Sequence, residues 1–596
     1  MFSIKFKYTR LLFSLAVIGI IATGCKKLDQ VPQSSATNPA VFGSVNGLQV
    51  YANSFYEILP DAGALVRGDA MADYAARTSV PDFLRPGAYS PQQSTGWTWN
   101  ALRNINYFLA NNVRTNVSVE QRNHFNGLAR FFRAWFYFDK LKRFGDVPWI
   151  NSAMDIDDPK LYGARDPRTL VVDSIIADLD YASKNILTTN DASRTQITKN
   201  IVYAFKSRVC LFEGTFRKYH TEYDLGSSAN GLLQQAADAA KTVIDAGTFN
   251  LNTAGGTDKA YRALFNSTTP NTNEVLLAAV VDPTLGVFND ANWYWTSATY
   301  GDRLSLIRTF VNTYLNIDGT PFTTTPGYKT MPFVEEVKGR DMRLQQTIRM
   351  GNYTRLNGAT QEAAPPVFSY TYTGYQPIKL TQDDASMDGG SRNTNSIPSI
   401  RYAEVLLNYA EAKAELGTFT DADWNMTVGA LRRRAGITGN TATRPTTIDQ
   451  YLQTNYFPGI TDPSLLEIRR ERGIELVFEG FRFYDIVRWK RGPLMDQVWN
   501  GFYVPELNTP LDLNADGKPD VAFYRTMPSD PVKGVTYVSV GDNLANGSVN
   551  PQRLNSDNEL TWLSNVQRKW DDKYYLYPIP EADRLINPKL GQNPGW

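Results

Sequence analysis

The chain has 596 residues, and its 61 basic and 60 acidic residues leave a formal net charge of +1 at pH 7. Binding to a phosphate backbone needs a concentrated basic surface, so this balance argues against nucleic acid as a ligand. With only two cysteines, the size of the chain instead of a disulfide framework must supply the stabilising core. The 12 Trp, 32 Tyr and 30 Phe exceed what is usual, and aromatic rings in loops are suited to stacking on sugar faces.

The N-terminus carries an export signal. Lys5, Lys7 and Arg10 precede an apolar run over residues 11–21, which is too short to span a bilayer. Residues 22–25, Ala-Thr-Gly-Cys, then resemble a bacterial lipobox, in which Cys25 is lipidated and becomes the first residue of the mature chain. Alanine stands where leucine is usual, and ordinary secretion with an incidental cysteine is the alternative. Loss of residues 1–24 would remove three cations and no acid, changing the net charge from +1 to −2, and a multiply acylated Cys25 would anchor stably.

Residues 25–40 are polar and contain prolines, which predicts a tether to one large globule over residues 41–596. In the globule, apolar residues recur at spacings of three and four, the period of an amphipathic helix. The clearest predicted helix runs from Val119 to Phe144, and others cover residues 171–187, 199–219, 231–246, 399–416, 424–435 and 464–490. Several are consecutive pairs. The sequence therefore predicts a mainly α fold, an α-solenoid-like helical scaffold with long loops and small β elements on one face.

Four sequence blocks resemble a known family. They are the aromatic segment 127–148, the segment 400–412, the segment 471–489, and the C-terminal segment 576–596 with its Tyr-Pro-Ile-Pro and Asn-Pro-Gly-Trp sequences. Their types and order are similar to those of SusD/RagB proteins over nearly the whole mature chain. On this resemblance, an N-terminal part covers about residues 41–230 and a RagB/SusD part about residues 270–596.

The resemblance implies an outer-membrane lipoprotein with a tetratricopeptide-like scaffold, anchored through Cys25 and facing outward. Members of this family bind oligosaccharides, and some bind peptides, without catalysing a reaction. The implied partner is a SusC-like TonB-dependent transporter, which receives the captured nutrient. No cofactor is required.

Paired glutamates raise a lipoprotein glycoside hydrolase as an alternative. Glu467 and Glu471 lie one helical turn apart, and so do Glu475 and Glu479. Arginines in the same segment can pair with these acids, and carboxylates held by arginines keep low pKa values and make poor general acids. The only two histidines are far apart, and neither a Gly-x-Ser-x-Gly elbow nor a phosphate-binding glycine loop is present. Cys210 lies in an apolar helical pattern and is interpreted as a packing residue, so no catalytic residue is predicted.

Residues 512–520 are a possible calcium loop. Oxygen ligands at positions one, three, five and nine, a backbone carbonyl at seven and glycine at six suit a calcium ion. The predicted ligands are Asp512, Asn514, Asp516, Lys518 through its backbone carbonyl, and Asp520. Position twelve is Phe523 instead of a bidentate carboxylate, so an Asx-rich turn is the alternative. A bound ion would have a structural role.

Candidate ligand-binding residues fall in two aromatic clusters. The first contains Trp97, Trp99 and Asn100, and the second contains Trp293, Tyr294, Trp295, Tyr300 and Arg303. Aromatic faces stack on sugar C–H groups, while amide and guanidinium groups bind hydroxyls. If residues 293–295 form a strand, Trp293 and Trp295 share one face and Tyr294 occupies the other. The alternative, favoured for Trp99, is that these rings are core anchors, as in a purely structural lipoprotein subunit or adhesin.

Overall fold

The computed structural model describes residues 41–155, 157–297 and 301–596. Cys25, the predicted tether and Tyr300 therefore lie outside the described residues. Helix accounts for 43% and strand for 11% of the structure, which confirms the prediction of a mainly α fold. Within these ranges, no helix combines the length and the apolar character needed to cross a membrane.

Helices dominate the N-terminal half. They are α1 (Val45–Asn53), α2 (Ala62–Val66), α3 (Asn100–Asn111), α4 (Val119–Phe144), α5 (Arg168–Asn185), α6 (Lys199–Tyr219) and α7 (Ala229–Asp245). The Ser118 hydroxyl caps α4 by accepting a hydrogen bond from the Gln121 amide at 3.2 Å, and Gly145, at a φ of 74°, ends it. Helix α4 packs along α5, and α6 packs along α7, which confirms the predicted scaffold of paired helices.

Shorter helices occupy the C-terminal half. They are α8 (Ala291–Thr296), α9 (Arg308–Val311), α10 (Phe333–Glu336), α11 (Met342–Thr347), α12 (Tyr402–Glu415), α13 (Asp421–Met426), α14 (Val428–Arg434), α15 (Gln450–Asn455), α16 (Pro463–Glu475), α17 (Arg482–Arg488) and α18 (Glu581–Ile586). Helix α12 lies at their centre, because it contacts α6, α7 and α16. It thereby joins the N-terminal helical pairs to the C-terminal helices.

Small sheets lie among these helices. Their strands are β1 (Ala75–Ala76), β2 (Val275–Ala279), β3 (Ser305–Leu306), β4 (Thr354–Asn357), β5 (Thr360–Ala363), β6 (Ile397–Arg401), β7 (Trp499–Tyr503), β8 (Val521–Tyr524), β9 (Thr536–Ser539), β10 (Gln552–Leu554) and β11 (Glu559–Trp562). The pairs β1–β3, β2–β6 and β4–β5 are antiparallel, and β8–β9 is parallel. An antiparallel three-stranded sheet has the order β10–β11–β7.

Two helices were predicted as continuous, but each is interrupted in the structure. The helix predicted over residues 424–435 is interrupted at Thr427, whose φ of −109° and ψ of −93° are not helical, and it forms α13 and α14. The helix predicted over residues 464–490 ends at Glu475, and a new helix begins at Arg482. Between them, Phe478 and Gly480 adopt φ values of 64° and 82°, which turn the chain out of the helical path.

This turn after α16 contacts the segment that precedes β1, near the start of the described chain. A Cβ atom on Gly68 would lie 2.7 Å from the Gly480 Cα, so glycine is required for the two backbones to approach. The Asp69 carboxylate accepts hydrogen bonds from the Gly480 amide at 3.0 Å and from the Tyr74 hydroxyl at 2.5 Å. The Tyr74 hydroxyl in turn accepts one from the Phe478 amide at 2.8 Å. The segment before β1 is thus bound to the turn.

One hydrophobic cluster contains residues from both ends of the described chain, from Phe42 to Leu590. The division of the globule into two parts stays a prediction. Cys210 lies within this cluster on α6, and burial raises the pKa of its thiol to about 12. The thiol is therefore protonated and inert at neutral pH, which agrees with its interpretation as a packing residue.

Candidate ligand-binding site

A stack of aromatic rings lies where three distant segments meet. The Tyr372 and Trp562 rings are 4.0 Å apart between centroids and inclined by only 19°. The Arg303 guanidinium lies over the Tyr372 ring, 4.9 Å from its centroid. Tyr372 is buried, whereas Trp562 and Arg303 are half-buried and reach solvent. We call this arrangement the Tyr372–Trp562 stack.

Hydrogen bonds fix the orientation of both rings. The Trp562 indole Nε1 donates to the Arg77 carbonyl at 2.8 Å, and the Tyr372 hydroxyl donates to Thr78 Oγ1 at 3.0 Å. The Ser305 hydroxyl accepts from the Tyr372 amide at 3.1 Å. Because β1 pairs with β3, the chain that follows β1 is held beside the chain that precedes β3. The two rings are therefore positioned before any ligand arrives, which lowers the entropy cost of binding.

Charged and polar groups surround the stack. Arg77 and Asp302 form an ion pair at 2.6 Å, and the Tyr294 hydroxyl donates to the same carboxylate at 3.0 Å. Burial raises the pKa of Tyr294, so its hydroxyl stays a donor. Arg303 donates to the Ser369 carbonyl at 3.1 Å through one nitrogen only. Its Nε is buried without a partner, so Nη2 is the nitrogen that is able to donate to a bound molecule.

Two residues at the stack adopt a backbone conformation that side chains disfavour. Arg303 has a φ of 49° and Leu563, which follows Trp562 directly, has a φ of 48°. Such conformations cost about 1–3 kcal/mol each and persist where the surrounding structure imposes them, often at binding sites. Arg303 is itself a half-buried member of the stack, and Leu563 directly follows the half-buried Trp562. This coincidence marks the stack as a site whose geometry the fold maintains.

The predicted cluster around Trp293 forms a helix, so the prediction of a strand with alternating faces is wrong. Residues 293–295 belong to α8, and successive residues of a helix are about 100° apart around its axis. Trp295 is 2% exposed and packs its ring 4.7 Å from Phe478, and Tyr294 is 6% exposed. Trp293 is half-buried. Of this predicted cluster, the described structure brings Tyr294 and Arg303 to the rim of the stack, while Tyr300 lies outside the described residues.

The predicted cluster around Trp97 has different neighbours. The Trp97 ring packs against Trp99 at 5.3 Å and against Phe144, the last residue of α4, at 5.0 Å. Trp99 packs against Phe136 at 5.6 Å, while Asn100 is exposed at the first position of α3. Both indole rings are half-buried. Their contacts are those of core anchors at a loop–helix junction, and a role in ligand binding stays a prediction.

Sequence reasoning missed Tyr372 and Trp562. Each lies in a long polar stretch without helical periodicity, so neither had a partner that local spacing could identify. Their contact joins residues 190 positions apart, and only the tertiary structure reveals it. The available signal was the presence of large aromatic residues in segments that are otherwise rich in Asn, Thr and Gly.

Comparisons with known proteins identify the family. The model of the SusD family matches residues 267–596, more than half of the chain. The chain belongs to the SusD family. A second family model, described as "Starch-binding associating with outer membrane", matches residues 87–211. The resemblance stated from sequence is thus confirmed, and the family supports a nutrient-binding role and association with an outer membrane.

Relatives of this SusD-family chain match it over most of their length. It is 26% identical over 525 residues to SusD-like protein P2 of Formosa agariphila, covering 82% of this chain and 91% of the relative. A solved SusD-like protein from Bacteroides fragilis aligns with a TM-score of 0.67 at 20% identity, covering 94% and 99% of the two chains. A solved SusD-like carbohydrate binding protein from the same species aligns with a TM-score of 0.66 at 18% identity, covering 92% and 99%. At these identities the solved structures show a shared fold.

The glutamates proposed as alternative catalytic acids belong to a buried ion network in this SusD-family fold. Glu475 accepts hydrogen bonds from Arg343 at 2.8 Å, from Arg401 at 2.6 Å and from Arg434. Burial by itself would raise the pKa of Glu475, but the three guanidinium charges outweigh burial and hold the pKa well below its usual range. A general acid must carry a proton near neutral pH, and Glu475 does not.

The other three glutamates are held in the same way. Glu479 pairs with Lys379 at 2.6 Å, Glu471 pairs with Arg432 at 3.2 Å, and Arg432 also contacts Glu467. All of these side chains are nearly or fully buried. Each acid is thus paired with a cation, as the sequence indicated, but most partners come from distant segments instead of from the same segment. The same-segment partner is Arg470, which lies 3.3 Å from Glu467.

Replacing Glu475 with glutamine is expected to destabilise the protein by about 3–5 kcal/mol at neutral pH, because three buried arginines lose their shared carboxylate. The lowered pKa means that Glu475 contributes this stability above its unfolded-state pKa of about 4.3 and loses it as the pH falls through its folded-state pKa. The difference between variant and wild type should therefore shrink in acid. Urea unfolding over a pH series measures both effects.

The exposed Glu506 provides a matched control, since Glu506→Gln makes the same chemical change without a buried partner. Its effect on unfolding should stay within about 0.5 kcal/mol. Equal effects of Glu475→Gln and Glu506→Gln would contradict the role assigned to the network.

The predicted calcium loop is an Asx-rich turn in the structure. The Asp512 carboxylate accepts hydrogen bonds from the Ala515 amide at 2.7 Å and the Gly517 amide at 2.8 Å. Asp516 accepts from the Lys518 amide at 2.8 Å, and Asp520 accepts from the Leu513 amide at 2.7 Å. In the described ranges, no group of three or more His, Cys, Asp or Glu side chains is arranged to hold a metal. Calcium binding by Asp512, Asn514, Asp516, Lys518 and Asp520 stays a prediction.

A calcium titration tests this loop. Burial, together with the neighbouring charges of Asp512 and Asp516, raises the pKa of Asp520, and a bound cation would relieve that repulsion. If calcium binds, its addition should raise the melting temperature of the wild type but not of Asp516→Asn, measured by differential scanning calorimetry against EDTA. Identical melting temperatures with calcium and with EDTA would leave the Asx-rich turn as the complete description.

Proposed function

We propose that this protein is a non-catalytic binding protein of the outer-membrane surface that captures an oligosaccharide at the Tyr372–Trp562 stack. It is lipid-anchored through Cys25, faces outward, and delivers its ligand to a SusC-like TonB-dependent transporter. The single observation that supports capture at this place is the half-exposed Trp562 ring, which is stacked, hydrogen-bonded and surrounded by charged groups.

The chemistry of the stack suits a sugar. Tyr372 covers one face of the Trp562 ring, and sugar C–H groups can pack against the part of this half-buried ring that solvent reaches. Arg303 offers its Nη2 donors to hydroxyl groups, and the Arg77–Asp302 pair offers further polar contacts beside them. A flat apolar surface bordered by polar groups is the usual composition of a small-molecule site.

Family membership adds support for a carbohydrate ligand, and one similar solved structure is named a carbohydrate binding protein. A peptide ligand is the other expectation from sequence, and it would use the same aromatic surface. The ion pairs of these glutamates support binding without turnover, and the lowered pKa of Glu475 leaves that residue without a proton to donate near neutral pH.

Trp562→Ala is expected to weaken oligosaccharide binding by about 10-fold or more, since the variant loses the stacking surface. Trp562→Phe, which keeps an aromatic face but loses the hydrogen bond to Arg77, should retain more affinity than the alanine variant. Isothermal titration calorimetry with a panel of oligosaccharides and peptides measures both, and mass spectrometry of the same mixtures measures turnover.

Trp97→Ala serves as the control, because it removes an indole from the other predicted cluster. Loss of affinity in Trp97→Ala with none in Trp562→Ala would move the site to the first cluster. Formation of cleaved product by the wild type would contradict the non-catalytic assignment.

Anchoring is tested separately at Cys25. Cys25→Ser should abolish incorporation of a radiolabelled fatty acid and release the protein from outer-membrane fractions, because the thiol is the expected point of acylation. Co-purification of the transporter with tagged wild type from native membranes tests the partner. Fatty-acid labelling that persists in Cys25→Ser would contradict the anchor.

A further inference from the structure

A cavity lies on the face of the three-stranded sheet opposite to Trp562. It has a volume of about 700 Å³ and lies over the β10–β11–β7 sheet. Arg553, Thr561 and Asn500 are in register across the three strands, so their side chains share one face and form the floor of the cavity. Trp562 follows Thr561 along β11 and points to the other face. We call this cavity the sheet groove.

Two arginines line the sheet groove without a carboxylate partner. Arg553 donates to the Asn550 carbonyl at 3.0 Å and to the Asp542 carbonyl at 3.1 Å, so its guanidinium is held in place by neutral acceptors. Arg525 is exposed at the same groove. Within the described ranges, neither arginine forms an ion pair, in contrast to the buried arginines of the network. Their charges are therefore available to a ligand.

The acids of the groove only partly offset these charges. Glu559 is already bound by Arg308 at 2.8 Å, by Asn500 at 3.2 Å and by Asn555 at 3.1 Å. Arg308 also pairs with the buried Glu336 at 3.0 Å, so it compensates the charge of Glu559 only in part. Asp542 also lines the groove and is exposed, and it forms no ion pair with either groove arginine, so both guanidinium groups stay unpaired in the described ranges.

We propose that the sheet groove binds the anionic group of an acidic sugar residue, either a uronate carboxylate or a sulfate ester. This inference rests on the proposed function, because it names the class of oligosaccharide captured. A guanidinium forms short, paired hydrogen bonds to such oxyanions, and one that is fixed beforehand loses little entropy on binding. The hydroxyls of Thr561 and Ser564 and the amide of Asn555 line the same groove and suit sugar hydroxyls.

The test compares three probes of equal length by calorimetry on the full chain. They are an oligogalacturonate, a sulfated galactan oligomer and a neutral galacto-oligosaccharide. Wild type should bind at least one acidic probe more tightly than the neutral probe. Arg553→Gln should bind that acidic probe about 10- to 100-fold more weakly than wild type does, with little change in affinity for the neutral probe. Raising the ionic strength should weaken the acidic probe selectively.

Lys533→Gln is the matched control, because it removes the same charge from an exposed residue of the neighbouring loop outside the groove. Two results would overturn the proposal that the sheet groove binds an anionic group, while leaving the proposed function intact. One is an equal loss of affinity for the acidic probe in Lys533→Gln and Arg553→Gln, and the other is equal affinity of the wild type for all three probes. If Trp562→Ala loses affinity for every probe and Arg553→Gln loses it only for an acidic probe, both the sheet-groove proposal and the proposed function are supported. Absence of binding to any oligosaccharide would overturn both.

Discussion

The buried carboxylate of Glu475 is the interaction on which the arrangement of the C-terminal half depends. A charge removed from water must be paired, and Glu475 is paired with arginines from α11, from the end of β6 and from α14. Because each arginine must reach the same carboxylate, the three elements can occupy only positions that converge on α16. Hydrophobic packing alone would tolerate small displacements of these elements, whereas a shared ion does not.

The end of α16 transmits this constraint to the N-terminal segment. The turn that follows α16 contacts Gly68 through glycine backbone and binds Asp69 and Tyr74 through hydrogen bonds. That segment continues into β1, whose pairing with β3 brings Arg77 to Asp302. The rings of the Tyr372–Trp562 stack are then oriented by the same two short strands and their flanking residues. The site is consequently a product of contacts between segments that are distant in sequence.

The three-stranded sheet separates two kinds of surface. One face carries Trp562 and the aromatic stack, and the other carries the row of Arg553, Thr561 and Asn500. Alternation of side chains along a strand is sufficient to produce this separation. A saccharide contains both apolar C–H faces and polar or charged substituents, and the two faces of this sheet offer the two matching kinds of surface that our proposals assign to its recognition. Its arginines are used in two ways, as partners of buried acids and as unpaired groups at a surface.

The sequence by itself determined the helical scaffold and the family, because helical periodicity and the family's sequence blocks are local properties. Helix α4 was predicted to its terminal residues for this reason. The sequence indicated that the paired glutamates are bound by arginines, but the arginines that bind Glu475 come from distant segments that only the tertiary structure brings together. It did not determine that residues 464–490 contain a turn, because this turn is held by contacts with a distant segment, Gly480 against Gly68 and the Phe478 amide on the Tyr74 hydroxyl. The sequence also identified Arg303 as a candidate binding residue, but it did not identify Tyr372 or Trp562. Which aromatic rings face solvent and which are buried depends on contacts between distant segments, and only the tertiary structure decided it.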